Sequence, residues 1–272
     1  MKKLLIIFLL VNATICNAQK DSLDYQKIAS RLDGSKPLNE LVLQSAKLLL
    51  GNPYVGGTLD ISDKETLVIN FDKFDCVTFQ ETCSALALDA KSANPSFSNF
   101  KNKLESIRYR NGKLNGYISR LHYSTDWIND NCKRNNVKDL TKSLGGIVLN
   151  KNINFMSTHA ALYKHLNGNQ LNIKEIVNIE KNINQNHVNY IPKNKIAEVS
   201  KNIESGCLIF ITTSKLGLDF AHVGISENSN GVLKMIHASS TGKKVMETPV
   251  SLAEYLSKIQ QFTGIAVLQL TN

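Results

Sequence analysis

Apolar residues recur with different periods at the two ends of this chain. From Cys76 to Ala90 (CVTFQETCSALALDA) there is no Gly or Pro, and Cys76, Phe79, Cys83, Leu86, Ala87 and Ala90 share one face at helical spacing. Asp75 stands where an N-cap belongs, because its carboxylate can accept the bare N–H groups of the first turn. Towards the C-terminus the pattern changes. Residues 207–213 (CLIFITT) form the apolar, β-branched run of a buried strand, and AHVGIS and VLKMIHAS follow it on either side of the turn-rich Glu227-Asn228-Ser229-Asn230-Gly231. The stretch between these ends predicts mostly helix: Phe97–Ile107, Tyr123–Cys132, Phe155–Leu166, Ile173–Ile183 and Pro192–Ile203, joined by Asn-rich loops. A short helix at Leu252–Leu256 and a closing strand at Gly264–Leu270 complete an α+β pattern.

The hairpin sets a testable register. A turn centred on Ser229-Asn230 places His222 directly opposite His237. A type I′ turn at Asn230-Gly231 places the two on one face along a diagonal, within about 7–8 Å. Either even-length loop keeps both imidazoles on the same side of the sheet. Gly224, beside His222 on that face, leaves room for a substrate or for the end of the helix.

Cys76 at a helix tip and two histidines on one hairpin face are the material of a thiol nucleophile with a positioned base. A free thiol, with pKa about 8.5, is mostly protonated at neutral pH and needs a helix N-terminus or an imidazolium to ionise. One imidazole would take the thiol proton and the other would hold it in register. The bland alternatives are a small buried hydrophobe at Cys76 and two satisfied histidines on a half-exposed sheet. Cys83, on the same stripe, reads as core. Within the middle stretch, Arg120, His122, Tyr123, Asp126 and Trp127 crowd together. Arg120 could bind a carboxylate and Trp127, the only tryptophan, could stack on a sugar ring. Asp75, Arg120, His122 and Trp127 are therefore the candidate substrate-binding residues, with packing and a salt bridge as the competing explanation.

Other chemistries lack their motifs. His159 and His165 are six apart, which does not suit metal ligands on one helix face, and no H-E-x-x-H occurs. Gly51–Gly57 lacks the Gly-Lys-Ser/Thr ending of a phosphate loop, and there is no G-x-S-x-G elbow. No metal or other cofactor is expected. No Lys/Arg cluster interleaved with aromatics suggests nucleic acid.

Lys2-Lys3, an apolar run from Leu4 to Val11 and Cys16-Asn17-Ala18 before Gln19 read as a secretory signal peptide cleaved after Ala18. The run is shorter than the ~20 residues of a membrane span. Lipidation at Cys16 is the competing reading. An exported protein, most simply periplasmic, monomeric and without an integral membrane segment, is expected. The formal charge of +9 falls to +7 without Lys2 and Lys3, a basic surface suited to a polyanionic envelope. Cys76, Cys83, Cys132 and Cys207 remain, with no C-x-x-C pair. Cys76 and Cys83 would lie about 10 Å apart on one helix, too far for a disulfide.

These residues resemble the NlpC/P60 superfamily of papain-like cysteine amidases. The matching features are Asp75-Cys76 opening a helix, Ala221-His222-Val223-Gly224, Ile236-His237-Ala238 and Gly51-Asn52-Pro53-Tyr54. The finer resemblance is to the DUF1460 branch of N-acetylmuramoyl-L-alanine amidases. It rests on Phe74-Asp75-Cys76-Val77-Thr78-Phe79, Ser119-Arg120-Leu121-His122-Tyr123, Asp126-Trp127, Phe155-Met156-Ser157, Tyr190-Ile191-Pro192 and Gly217-Leu218-Asp219. Gly206-Cys207 departs from the branch's usual Gly-Asp, which puts a local polar contact in question. The resemblance implies a papain-like core built from about 40–92 and 204–272, with an inserted helical region at about 93–203. It also implies a Cys76-His222-His237 triad, Tyr54 at the active site, and peptidoglycan fragments as substrate, with 1,6-anhydro-muropeptides preferred. A D-glutamyl-diamino acid endopeptidase and a catalytically idle envelope-binding module are the rival functions.

Overall fold

The computed structural model describes residues 19–271, so the expected signal peptide and Cys16 lie outside the described residues. Helices α1 (19–29), α2 (Leu38–Leu48), α3 (Cys76–Ala90), α4 (Phe97–Arg108) and α5 (Ser124–Lys133) come first. Strands β1 (Val137–Asp139) and β2 (Ile147–Val148) precede α6 (Phe155–Thr158), α7 (Gln170–Gln185), β3 (Asn189–Pro192) and α8 (Ile196–Val199). The chain ends with β4 (Leu208–Thr213), β5 (Phe220–Ser229), β6 (Val232–Ser239), β7 (Lys244–Glu247), α9 (Leu252–Ser257) and β8 (Phe262–Leu270).

The strands form one sheet in the order β2-β3-β8-β4-β5-β6-β7, with β1 also paired to β8. Every pairing between these strands is antiparallel. β4, the apolar run, lies between β5 and β8 and is buried along its whole length. Alternation sorts the sheet's side chains onto two faces. Leu208, Phe210, Val223, Ile225, Ile236 and Ala238 join a core with α2, α3 and α4, whereas Ile209, Ile211, Leu233 and Met235 join one with α9. The open edge of β7 is covered by the segment before Cys76: Gly51 N–H donates to Val245 O and Tyr54 N–H to Lys243 O, both at 2.9 Å.

α3 is buried on nearly all sides. A helix without a polar face must satisfy its charges internally, and α3 does so twice. Glu81 pairs with Arg108 at 2.6 Å, and Asp89 accepts from Tyr25 Oη, from Ser96 N–H (3.1 Å) and from Asn99 Nδ2 (2.7 Å).

The middle of the chain is less helical than its sequence suggests. It contributes β1, β2 and β3 to the common sheet and so is continuous with it. The helix expected over 155–166 breaks at His159 into α6 and a 3-10 turn at Ala160–Leu162. The one expected over 192–203 is the end of β3 followed by short helical turns. Pro192 closes β3 by pairing with Gly264. At the departure from the family pattern, Ser226 supplies the polar contact: Cys207 N–H donates to its Oγ at 2.8 Å, and that hydroxyl donates to Glu204 O at 2.6 Å.

Candidate active site

Cys76 is positioned by a capping box. Asp75 Oδ1 accepts from Thr78 N–H at 2.8 Å, while Thr78 Oγ1 accepts from Asp75 N–H at 3.0 Å. Asp75 is thus engaged as a cap, and Cys76 occupies the first residue of α3 with part of its surface open.

The hairpin adopts the Asn230-Gly231 turn. Ser229 pairs with Val232 and Ile225 with Ile236, and both turn residues have positive φ (53° and 83°), as type I′ requires. The β5–β6 ladder stops at Ile225–Ile236. Beyond it, β5 carries a bulge at Ala221, since Ile211 pairs with His222 but Thr212 with Phe220. Beyond the end of that ladder the Val223 N–H lies near the Cys76 sulfur and favours its thiolate form, which puts the sulfur close to β5 one residue from His222.

The two imidazoles meet. His222 Nε2 and His237 Nδ1 are 2.5 Å apart, with the rings nearly perpendicular. His237 is buried and rests edge-on against Tyr255 of α9. The space at Gly224 is filled by neither substrate nor helix tip: a Cβ there would come within 2.6 Å of Met235 Cγ, so the missing side chain admits Met235.

The electrostatics differ from the sequence expectation. Loss of water around the sulfur pushes the Cys76 thiol up to about 12, and the Asp75 carboxylate adds to this, while N–H groups of Val223, Cys76 and Val77 oppose it. Burial drives His222 down to about 3, assisted by His237, and drives His237 down to about 4. At rest the site holds a neutral thiol and neutral imidazoles rather than an ion pair.

Tyr54 is fixed beside this centre. Val55 N–H donates to Phe74 O at 2.9 Å and Phe74 N–H to Pro53 O at 3.0 Å, tying its segment to the residues just before Cys76. Burial, then the nearby Cys76 and Asp75, push its phenol up.

A cavity of about 250 Å³ opens beside Cys76, lined among others by Asp75, Val77, Asp60, Tyr117, Arg120 and His122. Arg120 pairs with Asp60 and lies 3.5 Å from Glu65. His122 packs at a tilt against Tyr117 and its Nε2–H donates to Tyr117 O at 2.9 Å; burial, with Arg120 nearby, lowers it to about 3. Among the described residues no three His, Cys, Asp or Glu side chains converge as a metal-ligand set.

A family model described as AmiA-like, N-acetylmuramoyl-L-alanine amidase-like, matches residues 44–265. The chain belongs to this AmiA-like family. Among solved structures, an N-acetylmuramoyl-L-alanine amidase from Bacteroides uniformis is 39% identical, with TM-score 0.81, over 85% of this chain and 99% of that one. A Bacteroides fragilis protein provisionally described as a xylanase is 36% identical, with TM-score 0.80, over 84% of this chain and 100% of that one. A Legionella pneumophila protein assigned to DUF1460 shares the fold at 24% identity and TM-score 0.71, over 94% and 96% of the two chains. No curated protein matches.

Within this AmiA-like chain, Trp127 corrects the sequence expectation. It is buried against Phe210 (centroids 5.4 Å apart), and its Nε1–H donates to Glu81 Oε1 at 3.3 Å, so it offers no face to a sugar. Sequence analysis also missed residues that hold the site. Arg108 joins Glu81 to Val68 O, bracing α3 against the cavity loop. Asp219 Oδ2 accepts from Thr125 N–H at 2.7 Å, anchoring the start of β5, three residues before His222, to α5. The available signal for Glu81 was that it is, with Asp89, one of the two charged residues in a helix read as core. Asp219 gave none beyond its place in Gly217-Leu218-Asp219.

Proposed function

We propose that this AmiA-like protein hydrolyses the amide between the lactyl carbonyl of N-acetylmuramic acid and L-alanine, by acyl transfer to Cys76. The observation that carries this is Cys76 at the capped tip of α3, close to the Val223 N–H and so one residue along β5 from a histidine whose ring is held by a second. If the His222 Nε2–H donates to His237 Nδ1, the lone pair of His222 is on Nδ1. That nitrogen takes the thiol proton as the sulfur bonds to the carbonyl carbon. The proton then passes to the amide nitrogen as the C–N bond breaks, leaving a thioester and a free peptide amine. Water, deprotonated by the same nitrogen, cleaves the thioester to a carboxylic acid and restores the thiol. The oxyanion is met by the Cys76 N–H and the Tyr54 hydroxyl.

This reading places the chain in the papain-like NlpC/P60 superfamily and makes 1,6-anhydro-muropeptides its preferred substrates. The helix-first nucleophile, the antiparallel histidine hairpin and the amidase names of the neighbours support it. The core-plus-insertion division and a periplasmic site of action belong to the same proposal; residues 1–18 carry the export part. Among the described residues no helix is long and apolar enough to cross a membrane.

The xylanase description of one neighbour fits less well. Glycoside hydrolysis needs two carboxyl groups facing the scissile bond. Here Asp75 caps α3, Glu81 is paired with Arg108, and Asp60 with Arg120. Mass spectrometry of digested muropeptides tests the proposal. Release of the intact stem peptide, abolished by Cys76→Ala, is expected. A dipeptide left on the sugar would instead indicate an endopeptidase, and turnover unchanged in Cys76→Ala would overturn the mechanism.

A further inference from the structure

Among the described residues, the buried side-chain polar atoms without a hydrogen-bond partner are Thr58 Oγ1, Glu65 Oε2 and Arg120 Nε. Buried polar groups are normally satisfied, so exceptions call for an explanation. These three belong to one place: the loop after Tyr54 and the arginine it packs on. Arg120 lies in the wall of the cavity beside Cys76 and is 7% exposed. Of its two carboxylate partners, Glu65 is 2% exposed and held by Tyr109 Oη–H at 2.9 Å, whereas Asp60 is 41% exposed and also lines the cavity. One partner is built in; the other is a half-solvated side chain on a loop.

We propose that Arg120 is the receptor for a substrate carboxylate and that Asp60 occupies it as an internal stand-in until substrate arrives. A guanidinium presents a planar fork that carboxylates fill bidentately. Removing it from water without an anion is costly, so an empty cavity needs a placeholder. The Asp60 carboxylate supplies one that leaves at little cost, because it returns to water. Glu65 keeps Arg120 in place during the exchange.

The inference rests on the amidase reading and sharpens its substrate class. In a muramoyl amide the sugar-side carboxyl is consumed by the scissile bond, so free carboxylates belong to the departing peptide. The cavity then holds the peptide, and the protein selects acidic peptides over their amidated forms.

The probes are N-acetylmuramoyl-L-alanyl-D-glutamate and the same compound with both carboxylates converted to carboxamides. Calorimetric titration of Cys76→Ala protein measures binding without turnover. A charge-assisted hydrogen bond predicts that the diacid binds about 10- to 100-fold more tightly than the diamide. Asp60→Asn on that background removes the competing carboxylate, so it tightens diacid binding several-fold and widens the diacid/diamide ratio. Arg120→Lys keeps the charge but loses the fork and retains only part of the preference. In the otherwise wild-type enzyme the preference is carried by KM, with kcat changed little. Equal binding of diacid and diamide, binding of neither, or an equal response of both to Asp60→Asn would overturn the proposal. Hydrolysis of both compounds by wild-type enzyme with no preference would leave the amidase reading standing while this inference fell.

Discussion

The two walls around Cys76 treat charge in opposite ways. On the hairpin side, His222 and His237 touch each other in a buried setting that keeps both neutral, with the thiol neutral beside them. On the cavity side, carboxylates and guanidinium groups are matched, Glu81 with Arg108 and Asp60 and Glu65 with Arg120, while Asp75 is taken up by the helix cap. Groups that must exchange a proton during a reaction are kept uncharged and few. Groups proposed to hold shape or ligand are paired and braced.

Substitution on the reactive wall should lower catalysis and spare the fold. His222→Ala is expected to reduce kcat by roughly 10³- to 10⁴-fold, the upper range for a lost acid–base group, with the denaturation midpoint little changed. A comparable fall in stability would erase the distinction between the walls. Substitution on the braced wall should do the reverse. Arg108→Met leaves Glu81 buried and unpaired, at a cost of about 3–5 kcal/mol in chemical denaturation. Adding Glu81→Leu should recover much of that loss; if the double variant is no more stable than the single, the pair is not what braces α3.

The neutral histidines also set an acid limit. His222, His237 and His122 are lowered to about 3, 4 and 3, so below the ordinary value of about 6.5 the unfolded chain binds more protons than the folded one. Their contribution is complete above about pH 6.5 and is lost as pH falls towards 4, at up to ~1.4 kcal/mol per pH unit for each proton taken up. Urea denaturation between pH 8 and 4.5 should show this slope, and His237→Gln should make it shallower. The smallest effect concerns register. Gly231→Ala meets open space, Lys201 Cβ being 4.0 Å away, but must adopt φ of +83°, so ~1 kcal/mol of stability is lost. A neutral result would mean the turn does not fix the hairpin.

What was legible in the sequence follows the same division between local and distant causes. Helix α3, its Asp75 cap and a hairpin turning at either Ser229-Asn230 or Asn230-Gly231 follow from periodicity and turn chemistry within a few residues; the ladder decides for the second. The expected strand at 264–270 is present as β8, extended back to Phe262. The middle region was misread where pairing partners decide. β1 and β3 exist because β8 offers an open edge, and Pro192 reads as a helix start but ends a strand. Trp127 looked like a sugar platform because its burial depends on Phe210, 83 residues away. The sulfur's environment follows the same division: helix-tip N–H groups are visible in sequence, but the loss of water that raises the thiol is not.

Rapid-quench mass spectrometry of the wild-type enzyme during muropeptide turnover in ¹⁸O-labelled water examines the sulfur itself. A muramoyl thioester on the peptide containing Cys76, decaying to a muramic carboxylate that carries one label, is the expected result. Labelled product formed with no adduct on Cys76, and formed equally by Cys76→Ala protein, would contradict it.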